Sequence, residues 1–293
     1  MLTVVLQQGI NGVVVGSLYV LVALGLTLIY GVLVQINFAH ADIVTVGAFV
    51  AYFVTHWLSG NYFAGIAVAL VVGAALGWMM NAAIFAPLRD RGNELLPLIA
   101  TIGVSIMLQN AMLVLLGPIP YAFNTPYSNQ VIRLGGTFLT VQNALIIVVS
   151  ALTIALLYLF MKFTFLGKAL RAVSQDRETA GLMGINPNYV IMLTFVIASA
   201  LAGMGGAMLG PVLVLTPFAG TSVIVKAFAI VIIGGFGNVE GTIIAGLIVG
   251  LIESYTTQFL DPGWIDIVVF ALLLLTLAVR PTGLIAERRE ENV

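Results

Sequence analysis

The chain has 293 residues, 61% of them hydrophobic and only 8% charged, with a mean hydropathy of +1.13 and a formal net charge of −1. Soluble domains carry roughly 25% charged residues, so this composition excludes a water-soluble globule and puts much of the outer surface against lipid. The near-neutral charge offers no basic face to nucleic acid, and the lack of cysteine removes disulfides, thiolate metal sites and cysteine nucleophiles.

A bilayer core about 30 Å thick is crossed by about 20 helical residues. Residues 1–16 lack a basic leader and a clear cleavage site, so they read as the entry to a retained first helix. The apolar runs predict spans over 10–34, 38–57, 62–86, 95–116, 140–162, 188–210, a short glycine-rich 218–236, 241–259 and 264–280. The runs are continuously apolar and do not alternate, which rules out a β-barrel and leaves helices as the spanning element. The expected fold is an all-α membrane protein, a polytopic bundle of eight or nine transmembrane helices in one domain over 1–293. Nine helices cross if 38–57 and 218–236 both span, and seven or eight cross if either is re-entrant.

With nine crossings, nine of the eleven cationic residues fall on one side: Arg89, Arg91, Lys162, Lys168, Arg171, Arg177, Arg280, Arg288 and Arg289. Arg133 lies opposite, and Lys226 lies within a span. The positive-inside rule then makes the C-terminal tail cytoplasmic, in a multi-pass inner-membrane protein, and puts the 117–139 loop on the external, periplasmic side. The pairs Gly12/Gly16, Gly73/Gly77 and Gly246/Gly250 have the spacing that lets helix backbones approach in lipid.

Residues 31–46 (GVLVQINFAHADIVTV) align without gaps on 211–226 (PVLVLTPFAGTSVIVK), at an offset of 180, with Gly25 falling on Gly205. The two segments run in opposite directions through the membrane, which reads as an inverted repeat. Each copy interrupts an apolar run, at Gln35-Ile36-Asn37 and at Thr216-Pro217. Asn and Asp favour helix N-caps and Pro disrupts a helix interior, so both read as places where one helix ends and another begins within the membrane. Interrupted segments at matching positions in two halves point to a transport pathway, with Asn37, His40, Asp42, Pro217, Lys226 and Glu253 as its candidate pathway or gating residues. Lys226 could snorkel outward, and Glu253 must find its partner in space. Asn11, Asn81, Gln109, Asn110 and Asn143 suit hydrogen bonds between helices. His40 and His56 have no metal-ligand spacing.

The longest polar stretch on the cationic side is 163–190, FTFLGKALRAVSQDRETAGLMGINPNYV. Its pattern predicts a short amphipathic helix capped near Ser174, flanked by Gly181 and Gly184 and stopped by Pro187, able to lie on lipid or dock into a groove on a soluble partner. No GxxxxGK[ST] loop occurs, and IGGFGNVEG fails the GxGxxG spacing at Glu240, so it reads as a tight turn and any nucleotide hydrolysis belongs to other chains.

Four stretches resemble the branched-chain amino acid ABC permeases of the LivH kind: GKALRAVSQDRETAGLMGIN, INFAHADIVTVGAF, AFAIVIIGGFGNVEGTIIAGLIVGLIES and RPTGLIAER. The one noted departure is Ala41, where that family usually has glycine after the histidine. The resemblance implies a non-catalytic translocation subunit that pairs with a homologous LivM-like permease. Beneath the pair sit two cytoplasmic ATPase subunits, which bind the ATP and Mg while this chain binds no cofactor. A periplasmic substrate-binding protein delivers the solute. The resemblance also assigns a coupling role to Arg171, Asp176, Ala180, Gly181, Leu182 and Gly184. A permease for urea or short amides, and an ion-coupled secondary transporter using His40, Asp42 and Glu253, are the alternatives.

Overall fold

The structure is a computed structural model that describes residues 1–58, 60–89, 95–134 and 136–285. Arg91, Arg288 and Arg289, used above for orientation, lie outside the described residues. Seven described helices are long and apolar enough to cross a membrane: α1 (Leu2–Leu33), the run of α3 (Tyr62–Met80) into α4 (Ala86–Arg89), α5 (Leu95–Leu116), α6 (Val141–Phe163), α9 (Pro187–Leu209), α11 (Val239–Phe259) and α12 (Ile265–Val279) with its short lead from Pro262. The interrupted segments supply α2 (His40–Trp57) and the shorter α10 (Ala219–Gly234), while α7 (Phe165–Gln175) and α8 (Arg177–Leu182) form the patterned loop. The first helix starts at Leu2, eight residues before the expected bound.

One departure from an all-helical chain lies in the 117–139 loop, where β1 (Val131–Leu134) pairs antiparallel with β2 (Thr137–Thr140). A two-stranded edge is tolerable there because the loop stands outside the spanning helices, where unpaired backbone groups can reach water. A second irregularity is a π-helical turn at Asn81–Phe85. Pro87 cannot donate to the carbonyl four residues back, and the helix widens one turn before it.

Glycines set the packing. The Gly12/Gly16 and Gly246/Gly250 pairs face each other across α1 and α11, so a Cβ on Gly250 would lie 2.3 Å from Gly16 Cα. Gly73 and Gly77 of α3 meet Ser199, Gly203 and Phe195 of α9 in the same way. The repeat glycines sit where α1 and α9 cross: Gly25 against Ala198 and His40, Gly205 against Val22. Lipid gives no hydrophobic drive for association, so this backbone-to-backbone approach supplies the dispersion contact that holds the bundle. The result is a two-centred core. α1 and α9 are the inner helices, with 89% and 72% of their spans buried, whereas α5, α6 and α12 bury 11%, 17% and 6% and form the rim.

Contacts also fix which ends share a side. Arg89 and Arg177 both donate to Asn188, Leu284 N–H donates to the Ile233 carbonyl, and Tyr30 stacks on Phe236. The ends of α1, α3 and α12, the start of α9, the α7–α8 loop and the α10–α11 turn therefore lie together. On the opposite side Gln7 bonds Phe138, Gln8 bonds Gln258, and Tyr121 pairs with Leu215. The run IGGFGNVEG is a tight turn, with Gly235 and Gly237 at positive φ and Asn238 accepting from Gly241 N–H.

Candidate functional site

Both interruptions are, as expected, places where one helix ends and another begins inside the bundle. α1 ends at Val34, whose φ of 56° makes it the one described non-glycine residue in the left-handed region. A β-branched residue there is strained, at about 1–3 kcal/mol, and it turns the chain back toward α2. On the other side Gly210 and Pro211 end α9, and residues 211–218 descend past Tyr121, tied to it by Leu215 through two backbone bonds of 2.9 and 3.0 Å.

α2 and α10 run antiparallel, and their first turns lie against each other. Gly220 N–H donates to Thr45 Oγ1 at 2.9 Å, and a Cβ on Gly220 would lie 2.0 Å from the Ala41 carbonyl. Thr45 in turn donates to Ala41 O, while Phe38 meets Phe228 with ring centroids 5.6 Å apart. Only glycine permits this crossing, since any side chain at 220 would push the two first turns apart.

The site residues do not converge on one point. His40 is fully buried beneath Gly25 and donates through Nε2 to the Val22 carbonyl of α1 at 3.2 Å. Asp42 turns the other way, toward α5, and accepts from Gln109 at 3.0 Å. The two are therefore not a pair. The expectation of an Asn or Asp cap is also corrected: Ala39 occupies the N-cap of α2, and Asn37 is buried with Nδ2 4.0 Å from Met80 Sδ. Pro217 is buried two residues before α10. Gln109 does link helices, but Asn11 and Asn110 bond within their own.

Lys226 does not snorkel. Its Nζ lies 2.7 Å from Glu253 Oε1 and 3.1 Å from the Tyr19 hydroxyl, which itself donates to Glu253 at 3.1 Å. This triad joins α10 to α11 and α1. Tyr19 escaped sequence reasoning because 207 residues separate it from Lys226, and nothing local marks it. Thr45 and Gly220 escaped for the same reason. Among the described residues no cluster of His, Asp or Glu is arranged to hold a metal.

Phe218 at the N-cap of α10 and Thr221, Ser222 and Val225 on it repeat at helical spacing and are exposed. Across the bundle, Tyr52, Thr55, His56 and Phe123 line an open cavity of about 510 Å³ on the side of the β-hairpin.

The patterned loop is two helices, α7 and α8. Thr164 caps α7 by accepting from Gly167 N–H, and Gly167 is packed so tightly on the end of α6 that a Cβ would lie 2.4 Å from Phe160 O. Arg171 donates back to Met161 O of α6. The cap of α8 is Asp176, accepting from Glu178 and Thr179 N–H, while Ser174 bonds back to Arg171 O. Hydrogen bonds from the Thr179 hydroxyl and backbone, then from Glu178, hold the Asp176 carboxyl below the usual carboxylate range. Gly184, at φ 87°, ends α8 with an Ile185 N–H to Ala180 O bond. Pro187 does not stop this helix; it opens α9 behind an Asn186 cap, because a first-turn proline has no N–H to satisfy. Ala180 faces inward, whereas Leu182 and Met183 are 88% and 79% exposed and Gly181 is exposed beside them.

The family model described as the permease component of the branched-chain amino acid transport system matches residues 9–277. The permease protein LivH of a high-affinity branched-chain amino acid transport system from Escherichia coli is 36% identical, over 98% of this chain and 97% of its own length. BraD, the corresponding permease protein of Pseudomonas aeruginosa, is 35% identical over 98% of both chains. The LivM permease protein of Salmonella typhimurium is more distant, 24% identical over 94% of this chain and 69% of its own. No solved structure matches the chain.

Proposed function

The chain belongs to the family of branched-chain amino acid transport permease components, and from that premise we propose that it is the translocation subunit of an ATP-driven importer of branched-chain or related amino acids. The observation that carries the reading is the α8 knob. Leu182 and Met183 stand exposed on a helix that Asp176 and Gly184 terminate sharply and that α7 pins to α6. An apolar knob on a rigid arm suits a groove in a soluble partner, and the chain has no phosphate-binding loop of its own.

The partners are two ATPase subunits under the knob, a binding protein on the opposite face, and a second, LivM-like permease. The cationic side, with Arg89, Lys162, Lys168, Arg171, Arg177 and Arg280, faces the cytoplasm of a bacterial inner membrane. The exposed α10 face, with the Thr221 and Ser222 hydroxyls among apolar neighbours, lines the pathway against the second permease. Closure of the ATPases moves α7–α8, and α2 and α10 pivot about the Thr45–Gly220 contact. In this scheme Arg171, Asp176, Ala180 and Gly184 shape the arm, and Gly181 and Leu182 touch the partner. His40, Asp42 and Asn37 fix the first turn of α2, and Pro217, Lys226 and Glu253 fix α10.

The test is ATP-dependent uptake of labelled leucine, urea and acetamide into vesicles holding the complex purified with its partners. Leu182→Glu is expected to abolish uptake while the complex stays folded. Uptake driven by a proton or sodium gradient without ATP sinks the reading in favour of a secondary transporter, and preference for urea or acetamide moves the solute class.

A further inference from the structure

α6 leans on α1 and α11 without filling the space between them. Ser17 of α1, Ala151 and Ala155 of α6 and Ile243 and Leu247 of α11 line an apolar groove of about 600 Å³. Ala151 and Ala155, set between Ile147, Ile154 and Tyr158 on α6, leave room that larger side chains would fill. At the cationic side it meets a second cavity of about 480 Å³, and Tyr158 and Glu240 line both. The second cavity is polar at its head: Lys162, Arg171, Ser174 and Asn238 line it.

We propose that these two joined cavities bind one anionic diacyl phospholipid, an acyl chain lying in the groove and the phosphodiester between Lys162 and Arg171. The dimensions fit. From Tyr158 to Ile147 is eleven residues of helix, about 16 Å at 1.5 Å per residue, which is half of a hydrocarbon core about 30 Å thick. The groove therefore spans one leaflet, and its polar head lies at that leaflet's boundary. The charge fits too. Lys162 and Arg171 outweigh Glu240 by one unit, which matches a single phosphodiester anion. Arg171 uses one of its five donors on Met161 O, and Lys162 lies over the Tyr158 ring at 5.4 Å, a cationic side chain held at the apolar–polar boundary. A soluble peptide is the poorer occupant, because the groove opens sideways between peripheral α6 and the core, where the medium is hydrocarbon.

The bound phosphate bridges α6 and α7 beside the start of α11, so the lipid stiffens the arm that carries α8. That consequence rests on the proposed function; lipid retention does not, and it is read separately.

The experiment is native mass spectrometry of the complex released from nanodiscs containing phosphatidylglycerol and phosphatidylcholine with identical acyl chains. One phosphatidylglycerol per copy of this chain is expected to survive, at least tenfold over phosphatidylcholine. Lys162→Glu, which reverses a headgroup contact, and Ala155→Trp, which fills the groove and leaves the cations, are each expected to remove it. Ala151→Leu serves where Ala155→Trp lowers the folded yield. Lys168→Glu, on the same loop but outside both cavities, is expected to retain it. Equal retention of phosphatidylcholine means annular lipid only and overturns the proposal, as does unchanged retention in Lys162→Glu and the groove variants. Displacement by glycerophosphoglycerol lacking acyl chains overturns the groove's part, and a photo-crosslinker at position 155 that captures a partner polypeptide overturns the whole.

Discussion

Removing Lys226 from its triad tests whether the ionised pair, and not helix packing alone, holds α10 in place. At 2.7 Å and an effective dielectric of about 20, the attraction is about 6 kcal/mol before desolvation. Desolvation cancels much of it, so the pair's net worth is small. An orphaned partner is different: a lone charge within a helix span costs about 2.5–3.5 kcal/mol. Lys226→Met and Glu253→Met are therefore each expected to destabilise by about 3 kcal/mol. Lys226→Met with Glu253→Met leaves no unpaired charge and strands only the Tyr19 hydroxyl, at about 1–3 kcal/mol, so it is expected to lose well under the sum of its singles. The assay is reversible unfolding in mixed micelles of all four proteins, closed as a double-mutant cycle. Single losses below about 1 kcal/mol, or a double variant as unstable as the sum of its singles, would refute the reasoning.

Other consequences follow from close contacts. Gly47→Ala places a Cβ 2.3 Å from Gly203 O, and Gly250→Ala one 2.3 Å from Gly16 Cα; each is expected to lower the melting temperature or the folded yield, whereas Gly103→Ala, with nothing within 4 Å, is expected to leave both unchanged. Thr45→Val strands the buried Gly220 N–H at a cost of about 1–3 kcal/mol, and Thr45→Ser is expected to restore both stability and uptake. The Asp176 carboxyl is depressed in the folded chain, so its cap is complete above about pH 4, the unfolded value, and is lost as pH falls through the lower folded value. Protection of the α8 amides, taken relative to their intrinsic exchange rate at each pH, is expected to fall only in that acid window, and Asp176→Ala is expected to show low protection at every pH.

The length and apolar content of each run marked the helices by themselves, seven of the described ones being long and apolar enough to cross a membrane. All nine expected segments are helical, because a backbone in hydrocarbon has no other way to satisfy its N–H groups. The glycine pairs were legible as well, since small residues four apart are what close approach requires. The breaks at 35–37 and 216–217 were readable from polar and proline residues inside apolar runs, and the count of crossings between the two matched segments anticipated that α2 and α10 run in opposite directions. Position within the bundle was not legible. α6 and α12 are among the most apolar helices and yet lie at the rim, while α1 and α9 form the centre. Hydropathy reports transfer out of water, and lipid and protein interior are equally dry, so the sequence signal is the same for both. Partner choice was hidden for a related reason. Lys226 with Glu253 and Tyr19, Thr45 with Gly220, and Asp42 with Gln109 and not His40 are pairings across helices far apart in the chain. Only the crossing geometry of α1, α2, α10 and α11 decides which polar groups share a level of the membrane and which are kept apart.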